Sequence, residues 1–238
     1  MKEENGPQLE LGQAAASDIE SGGLKYKRLV IRTHYIEAGE NIAAVAARYV
    51  KPHLVEGDIV FVSEKAVSVS QGNWLDESEV NPGWWATFLC RFVHKSPSGP
   101  GGVGSPEKMQ LAIERVGFFR VLFAAVAAAV TKPFGVRGLF YKLVGPRVSS
   151  VDGQTGPEGW PARTKIIFPV ANPETVARDI ARAVGAPAIV ADMNNISGTI
   201  KGYSHDNLTE LDFVDILRDN PMGQMQNMTP IGIVRVVD

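Results

Sequence analysis

Residues 186–195 read APAIVADMNN, an apolar run that ends on Asp192 and is followed by a methionine and two amides. Such a run, bounded by Pro187 and by polar residues, predicts a buried strand. Open α/β sheets bind ligands beyond the carboxyl ends of their strands, so a carboxylate at this point is typical of a metal or phosphate site. We therefore expect Asp192 to bind a metal ion, with Asn194 or Asn195 as a neutral oxygen ligand.

A second acidic residue, Asp152, lies in the turn-like sequence SSVDGQ at residues 149–154. Two carboxylates can hold divalent ions that offset the charge of phosphate groups. Because the set contains no His or Cys, hard cations such as Mg²⁺ or Mn²⁺ fit it best. The alternatives stay open, since Asp152 and Gly153 also form a good turn dipeptide and Asp192 could cap a turn.

The overall composition is that of an ordinary globular protein, with 45% hydrophobic and 21% charged residues in a chain of 238. A net charge of −2 supplies no global basic field, so no nucleic-acid partner is expected. The single cysteine, Cys90, excludes an internal disulfide and a multi-cysteine zinc site, and a reducing, cytoplasmic setting is the simplest interpretation. The first eight residues lack the pattern of a secretory signal.

Three segments define the predicted domain organisation. Residues 1–23 are rich in Gln, Glu, Ser, Ala and Gly, which predicts a disordered tail. Residues 24–238 then form one domain, interrupted by a flexible Pro/Gly/Ser loop near residues 96–106. A division of this domain into two subdomains is an alternative.

Strand and helix patterns alternate along the domain, which predicts an α/β (mixed α+β) fold with a mixed sheet flanked by helices. Strands are predicted at residues 27–32, 59–62, 66–70, 165–169, 188–191 and 229–237, and helices at 40–50, 105–130, 173–183 and 210–218.

One apolar segment has two interpretations. Residues 117–130 read GFFRVLFAAVAAAV and are shorter than the ~20 residues that a membrane-spanning helix needs. A core helix is the first interpretation. The second is a helix at a membrane surface that continues to residue 144, with Lys132, Arg137 and Lys142 at the level of the headgroups.

Three separated segments together resemble one family, the gamma-glutamyl ligases of the coenzyme F-420 pathway. The first, residues 56–68, has Gly-Asp followed by an apolar strand and polar residues. The second runs from Asp152 through Phe168-Pro169 and the predicted helix to Asp192, and the third is MGQMQNMTPI at residues 222–231. In this order the segments span most of residues 27–238, so the chain resembles a divergent member.

The resemblance implies a cytoplasmic homodimer that uses GTP and a divalent cation, Mg²⁺ or Mn²⁺. Its reaction would join a small carboxylate, a precursor of F-420 type, to an amino acid through an amide bond. The catalytic residues stay unassigned, and Asp152, Asp192 and Asn194 would hold the metal. The positions that match nucleotide-contacting segments are Arg32, Thr33, His34, Tyr35, Glu64, Lys65, Gly223 and Gln224.

The chain departs from the family pattern at three single positions and in the loop at residues 223–227, which replaces an acidic, glycine-rich loop of the family. Val69 stands where the family has a lysine, Met193 where it has a threonine, and Thr155 where it has an asparagine. The lost lysine is a cation expected near nucleotide phosphate, and Lys65 is the candidate to replace it. The departures also favour an alternative function, a non-catalytic descendant that binds a ligand or a partner on the same scaffold.

Overall fold

The computed structural model describes residues 9–92, 103–131, 135, 139–145, 152–153, 165–194, 198–223 and 227–237, with the side chains of residues 152 and 153 excepted. The chain divides into two compact units. The first unit comprises residues 1–72 and 170–238, and the second comprises residues 73–169. Elements are numbered below in chain order across both units.

The first unit is built on a six-stranded sheet with the order β1-β2-β9-β3-β7-β8. Neighbours β3 and β7 are parallel, and the other neighbouring pairs are antiparallel, so the sheet is mixed as predicted. The strands are β1 (Ala14–Ser21), β2 (Leu24–Ile31), β3 (Ile59–Ser63), β7 (Ala188–Met193), β8 (Gly198–Tyr203) and β9 (Ile231–Val237).

Helices of the first unit pack on a sheet whose central strands are apolar on both sides. Val60 and Val62 of β3 belong to a core shared with α1 (Ile42–Val50) and α7 (Pro173–Val184), whereas Phe61 belongs to a second core with α8 (Phe213–Ile216). Side chains alternate between the two faces of a strand, so Val60, Phe61 and Val62 contribute to both cores. This arrangement explains why the strand is continuously hydrophobic.

Local signals in the sequence set the ends of the two long helices of this unit. The side chain of Asn41 accepts hydrogen bonds from the amides of Ala43 and Ala44 and so caps α1. Proline at position 173 opens α7, and Gly185, with φ of 82°, ends it in the left-handed conformation that favours glycine. The predictions of both helices are confirmed.

The second unit is mainly helical. Its helices are α3 (Trp84–Leu89), α4 (Pro106–Val116), α5 (Phe118–Thr131) and α6 (Leu139–Val144). Its antiparallel sheet has the order β4-β6-β5 and consists of β4 (Trp74–Asp76), β5 (Asp152–Gly153) and β6 (Lys165–Ile167). The single helix predicted at 105–130 is divided, because Gly117 adopts a φ of 90° between α4 and α5.

The prediction of a disordered tail over residues 1–23 is wrong for residues 14–21, which form β1. This strand pairs with β2 from Ala14↔Ile31 to Ser21↔Leu24, and Gly22 and Gly23, both at positive φ, form the turn. A two-glycine turn is a hairpin signal, but the strand before it is polar, and pairing with β2 is what orders it. Residues 1–8 lie outside the described residues.

A second wrong prediction is the strand at residues 66–70, which belongs to the helix α2 (Glu64–Ser70). Val67, Ser68, Val69 and Ser70 are all buried, so the alternation of valine and serine does not separate an inner face from an outer one. A run this short cannot distinguish a strand from a buried helix by periodicity alone. The helix makes Glu64 the first residue after β3 to leave the sheet.

The remaining expectations concern the loop and the membrane. Most of the loop predicted near residues 96–106 lies outside the described residues, and residue 106 begins α4. None of the helices that the structure describes is long and apolar enough to cross a membrane.

Candidate functional site

The parallel pairing of β3 and β7 brings two acidic residues to one edge of the sheet. Ser63, the last residue of β3, is paired with Ala191 of β7. The next residue of each segment is therefore at the same edge, and these residues are Glu64 and Asp192. This is the carboxyl end of both strands, where open α/β sheets place their ligands.

A β-bulge adds a lysine to the same edge. In the pairing of β7 with β8, Ala191 is opposite Ile200 but Val190 is opposite Gly202, so Lys201 is the extra residue. A bulge re-aims the side chain of the extra residue and is common next to functional sites. Here it directs the Lys201 ammonium towards the two carboxylates.

Glu64, Asp192 and Lys201 form what we call the carboxylate–lysine cluster. The Lys201 Nζ lies 3.3 Å from Glu64 Oε2 and 3.3 Å from Asp192 Oδ2. The side chain of Glu64 is 9% exposed and that of Lys201 is 22% exposed, whereas that of Asp192 is 45% exposed. One cation thus links a buried carboxylate to a carboxylate that faces solvent.

The environment raises the pKa of two members of the cluster. Burial, and then the negative charge of Asp192, raise the pKa of Glu64, although Lys201 and a hydrogen bond from the Val170 amide lower it in part. Burial alone would lower the pKa of the Lys201 amine, but the charges of Glu64 and Asp192 more than offset this and raise it. Lys201 is therefore a fixed cation at neutral pH.

The amino end of α7 packs directly against the bulge. A Cβ added to Gly202 would lie 2.4 Å from the Pro173 carbonyl carbon and 2.6 Å from the Glu174 amide nitrogen. The Val170 amide, three residues before α7, donates to Glu64 Oε1 at 3.1 Å. Since the amino end of a helix carries partial positive charge, the cluster lies in a region that favours anions.

The predicted nucleotide loop at residues 32–35 follows β2 and is held within the first unit. The Arg32 guanidinium donates to the Leu9 carbonyl. Thr33 is fully buried, and its hydroxyl donates to the His34 carbonyl at 2.8 Å. Burial, and then the charge of Glu37, raise the pKa of Tyr35. Their nucleotide contacts stay predictions.

Both ring nitrogens of His34 have partners inside the chain. Nδ1 lies 2.9 Å from the Tyr49 hydroxyl and Nε2 lies 2.8 Å from Glu40 Oε2. The ring is thus oriented by two side chains, one of them from α1. In this arrangement both ring nitrogens already have partners, and a nucleotide contact of His34 stays a prediction.

The remaining nucleotide candidates have different surroundings. Lys65 follows Glu64 in α2 and is partly exposed. Gly223 has a φ of 64°, in the left-handed region that favours glycine, and a Cβ there would meet only the flexible end of the Asn227 side chain. Gln224 lies outside the described residues. Glu64 lies beside Asp192, and residues 32–35 follow the same edge of the sheet, because Ile31 at the end of β2 and Val62 near the end of β3 are both opposite Ile231 of β9.

The predicted metal ligands are distributed over both units. Asp152 belongs to β5 of the second unit, where its backbone pairs with Ile167, whereas Asp192 and the exposed Asn194 belong to the first. The convergence of the two aspartates therefore stays a prediction. Within the described parts of the chain, no group of three or more His, Cys, Asp or Glu side chains could hold a metal ion.

Lys201 is the member of the cluster that the sequence reasoning missed. A signal was present, because Lys201 interrupts the strand sequence GTIKGY immediately before a glycine. Glycine within a strand often marks a bulge or a close approach of backbone, and here it marks both.

Comparison with known proteins identifies a family that the chain resembles over most of its length. The sequence model of the family described as F420-0:Gamma-glutamyl ligase matches residues 30–184. This span includes Glu64 and Asp152 and ends before Asp192 and Lys201. A protein of Methanocaldococcus jannaschii, described as uncharacterized, is 41% identical over 68 residues. The aligned segment is 27% of this chain and covers 23% of the length of that relative.

Proposed function

The chain belongs to the F420-0:gamma-glutamyl ligase family, and we propose that it is a nucleotide-dependent ligase. The reaction would join a small carboxylate, of the F-420 precursor type, to the amine of an amino acid. Such a ligase transfers a phosphoryl group to the carboxylate, protects the acyl phosphate from water and then admits the amine. Phosphoryl transfer depends mainly on positioning and on the neutralisation of charge.

The observation that carries the proposal is the carboxylate–lysine cluster at the carboxyl ends of β3 and β7. The family lysine is replaced by Val69, which is buried and 5% exposed. The Lys201 ammonium supplies a fixed cation at the sheet edge instead, oriented by Glu64 and Asp192. A compact ammonium of this kind is a common ligand of phosphate.

The proposed roles of Glu64 and Asp192 follow from how deeply each side chain is buried. Glu64 is buried and accepts the Val170 amide, so its role is to position Lys201. Asp192 is half-exposed and is the carboxylate that a ligand can reach. The amino end of α7 adds partial positive charge beside them, which favours the binding of a phosphate.

A divalent cation fits this site as a companion of the nucleotide. Mg²⁺ usually keeps several waters and binds through one or two carboxylates together with substrate phosphates, so it does not need a cage of three side chains. The described residues offer the half-exposed Asp192 carboxylate and the exposed Asn194 amide as oxygen ligands. When bound, the cation would neutralise part of the phosphate charge.

Calorimetric titration of the full chain with GTP and with ATP, each with Mg²⁺ or Mn²⁺, tests the proposal. We expect Asp192→Asn and Lys201→Gln each to weaken nucleotide binding about tenfold or more, which corresponds to ~1.4 kcal/mol. Asp179→Asn is the matched control, since Asp179 is an exposed carboxylate on α7 paired with Arg182. Absence of nucleotide binding by the unmodified chain would contradict the proposal.

A second candidate function is a non-catalytic protein that binds the same ligands. The observation that favours it is the pair of departures at Val69 and Met193, which remove two polar groups from the nucleotide region. Release of phosphate, measured with several amino acids and carboxylate acceptors, separates the two functions. Nucleotide binding without any turnover would favour the second candidate.

The assembly state belongs to the same proposal. We expect a homodimer, as the family resemblance implies, with small molecules as the substrates. Analytical ultracentrifugation of the full chain over a range of concentrations checks this expectation, and a monomer at all concentrations would contradict it.

A further inference from the structure

Helix α3 and the residues after it expose a row of aromatic rings in the second unit. Trp84 is 67% exposed and Trp85 is 45% exposed. Trp84 stacks on Phe88, with ring centroids 5.4 Å apart, and Phe88 contacts Phe92 with centroids 5.1 Å apart. Aromatic side chains bury large apolar areas when they pack against other groups, so a row of exposed aromatic rings is unusual on a protein surface.

The row continues without a gap onto α5. Trp85 contacts Phe118 with centroids 5.1 Å apart, and Phe118 contacts Phe119 at 5.5 Å. From Phe119 the exposed apolar residues follow one face of α5, at intervals of four, three and four residues. We call the combined surface the apolar ridge, and its exposed members are Trp84, Trp85, Phe88, Phe92, Phe119, Phe123, Val126 and Val130.

The opposite face of α5 already has a core. Val121, Ala124 and Ala125 are buried against α3, α4 and α6. The ridge is therefore an additional apolar face of a helix that is packed on its other side. Among the described residues, eight of the thirteen exposed large hydrophobic side chains belong to the ridge. A concentration of this kind marks an interaction surface.

The two sequence segments that carry the ridge are basic, whereas α4 between them contributes Glu107 and Glu114. Residues 80–106 carry α3 and contain two basic residues and no acidic residue. Residues 115–151 carry α5 and contain six basic residues and no acidic residue. The whole second unit contains eleven Lys and Arg residues and seven Asp and Glu residues, a net charge of +4. The first unit contains thirteen Lys and Arg residues and nineteen Asp and Glu residues, a net charge of −6.

We propose that the apolar ridge binds the surface of a membrane that contains anionic lipids. Helix α5, fourteen residues and about 21 Å long, would lie in the plane of the interface with its ridge face among the upper acyl chains. Tryptophan favours this boundary because its ring is apolar and its N–H is polar. Basic residues such as Arg91 and Lys142, both exposed, would contact the headgroups.

Two other occupants fit these observations less well. A second copy that bound through the same surface would bring two sets of basic residues together, and like charges at a contact are unfavourable. Nucleic acid would pair with the charge and stack on the rings, but it would leave Val126 and Val130 without a partner. An anionic lipid surface matches both the apolar groups and the charge.

Vesicle flotation with the full chain tests the proposal. The probes are vesicles of phosphatidylcholine alone and of phosphatidylcholine mixed with phosphatidylglycerol, at low and at high salt. We expect binding to the mixed vesicles, a loss of binding in the double variant Phe119→Glu, Phe123→Glu, and unchanged binding in Val55→Glu. Val55 is the matched control, because it is an exposed apolar residue of the first unit, 52% exposed.

The contribution of charge is tested separately with Arg91→Gln and Lys142→Gln. Each change should weaken binding to the mixed vesicles about five-fold at low salt, since a basic residue near an anionic surface contributes ~1 kcal/mol. Circular dichroism and thermal unfolding of every variant establish that it is folded.

Three outcomes would overturn the proposal. The first is an unmodified chain that does not float with mixed vesicles at low salt. The second is binding that the Phe119→Glu, Phe123→Glu variant retains. The third is self-association that this variant abolishes, measured by sedimentation without vesicles and combined with no flotation, which would assign the ridge to a second copy.

Discussion

The two units of the chain differ in net charge and in how many large apolar side chains they expose. The first unit keeps ion pairs at or beneath its surface, as in the carboxylate–lysine cluster and in the contact of Arg28 with Asp219. The second unit exposes the apolar ridge and carries a net positive charge. The comparison separates the two proposals, because the ligand site is proposed at the sheet edge of the first unit and the membrane contact at the apolar ridge of the second.

Loss of the ammonium from the carboxylate–lysine cluster should have the largest effect on the first unit. Lys201→Met leaves Glu64 buried beside Asp192 without a cation. We expect the unfolding free energy to fall by about 3 kcal/mol. This value is at the low end of the range for breaking a buried ion pair, because Asp192 is half-exposed. Denaturant unfolding at neutral pH measures the change.

A double variant identifies the cause of that loss. Glu64→Gln combined with Lys201→Met removes the uncompensated buried charge, so it should recover most of the stability that Lys201→Met loses. Equal stability of the single and double variants would mean that packing of the lysine chain, and not charge, explains the effect.

A substitution at the contact between β8 and α7 is expected to have the next largest effect on the stability of the first unit. Gly202→Ala would place a methyl group against the backbone of Pro173 and Glu174, and we expect a cost of about 2 kcal/mol. Gly198→Ala is the control, because its new methyl group would meet the flexible end of Met193. Thermal unfolding compares the variants, and equal effects would contradict the close approach of the helix.

A partly buried ion pair connects β2 with the segment after α8. The Arg28 side chain is 2% exposed and donates to Asp219 and to the Ile216 carbonyl. The hydrogen bond from Arg28 lowers the pKa of Asp219, although burial opposes this. Asp219→Asn should cost about 1–2 kcal/mol at neutral pH, because the guanidinium loses its anionic partner.

The same pair predicts a pH dependence. Because the pKa of Asp219 is lower in the folded chain than in the unfolded chain, its contribution is complete above the ordinary pKa of an aspartate. It is lost as the pH falls through the lowered value. The stability difference between the unmodified chain and Asp219→Asn should therefore shrink in acid, and a constant difference would contradict the pairing.

The smallest effect on stability is expected at the apolar ridge. Phe123 is 65% exposed, so Phe123→Ser should change the unfolding free energy by less than about 0.5 kcal/mol. Val121, on the buried face of the same helix, is fully buried, and Val121→Ala should cost about 1 kcal/mol or more. A larger loss at Phe123 than at Val121 would show that the ridge is part of a core.

The sequence by itself predicted the elements whose signals are local. The helices α1 and α7, with the proline that opens α7 and the glycine that ends it, follow from residue type and spacing, as do the apolar strands β3, β7 and β9 and the mixed α/β class. Asn172, the residue predicted to cap α7, makes no capping hydrogen bond through its side chain. The family was also visible in the order of its segments. These features depend on neighbours in sequence, and hydrophobic periodicity and capping report such neighbours directly.

Tertiary structure decided what depends on neighbours in space. β1 is polar and is ordered by pairing with β2, and α2 is buried on several sides and so lacks a readable period. The cluster needs the parallel pairing of β3 with β7 and the bulge at Lys201, which join residues 64, 192 and 201. The ridge needs the ring contacts between α3 and α5. Each forms only when distant segments pack together.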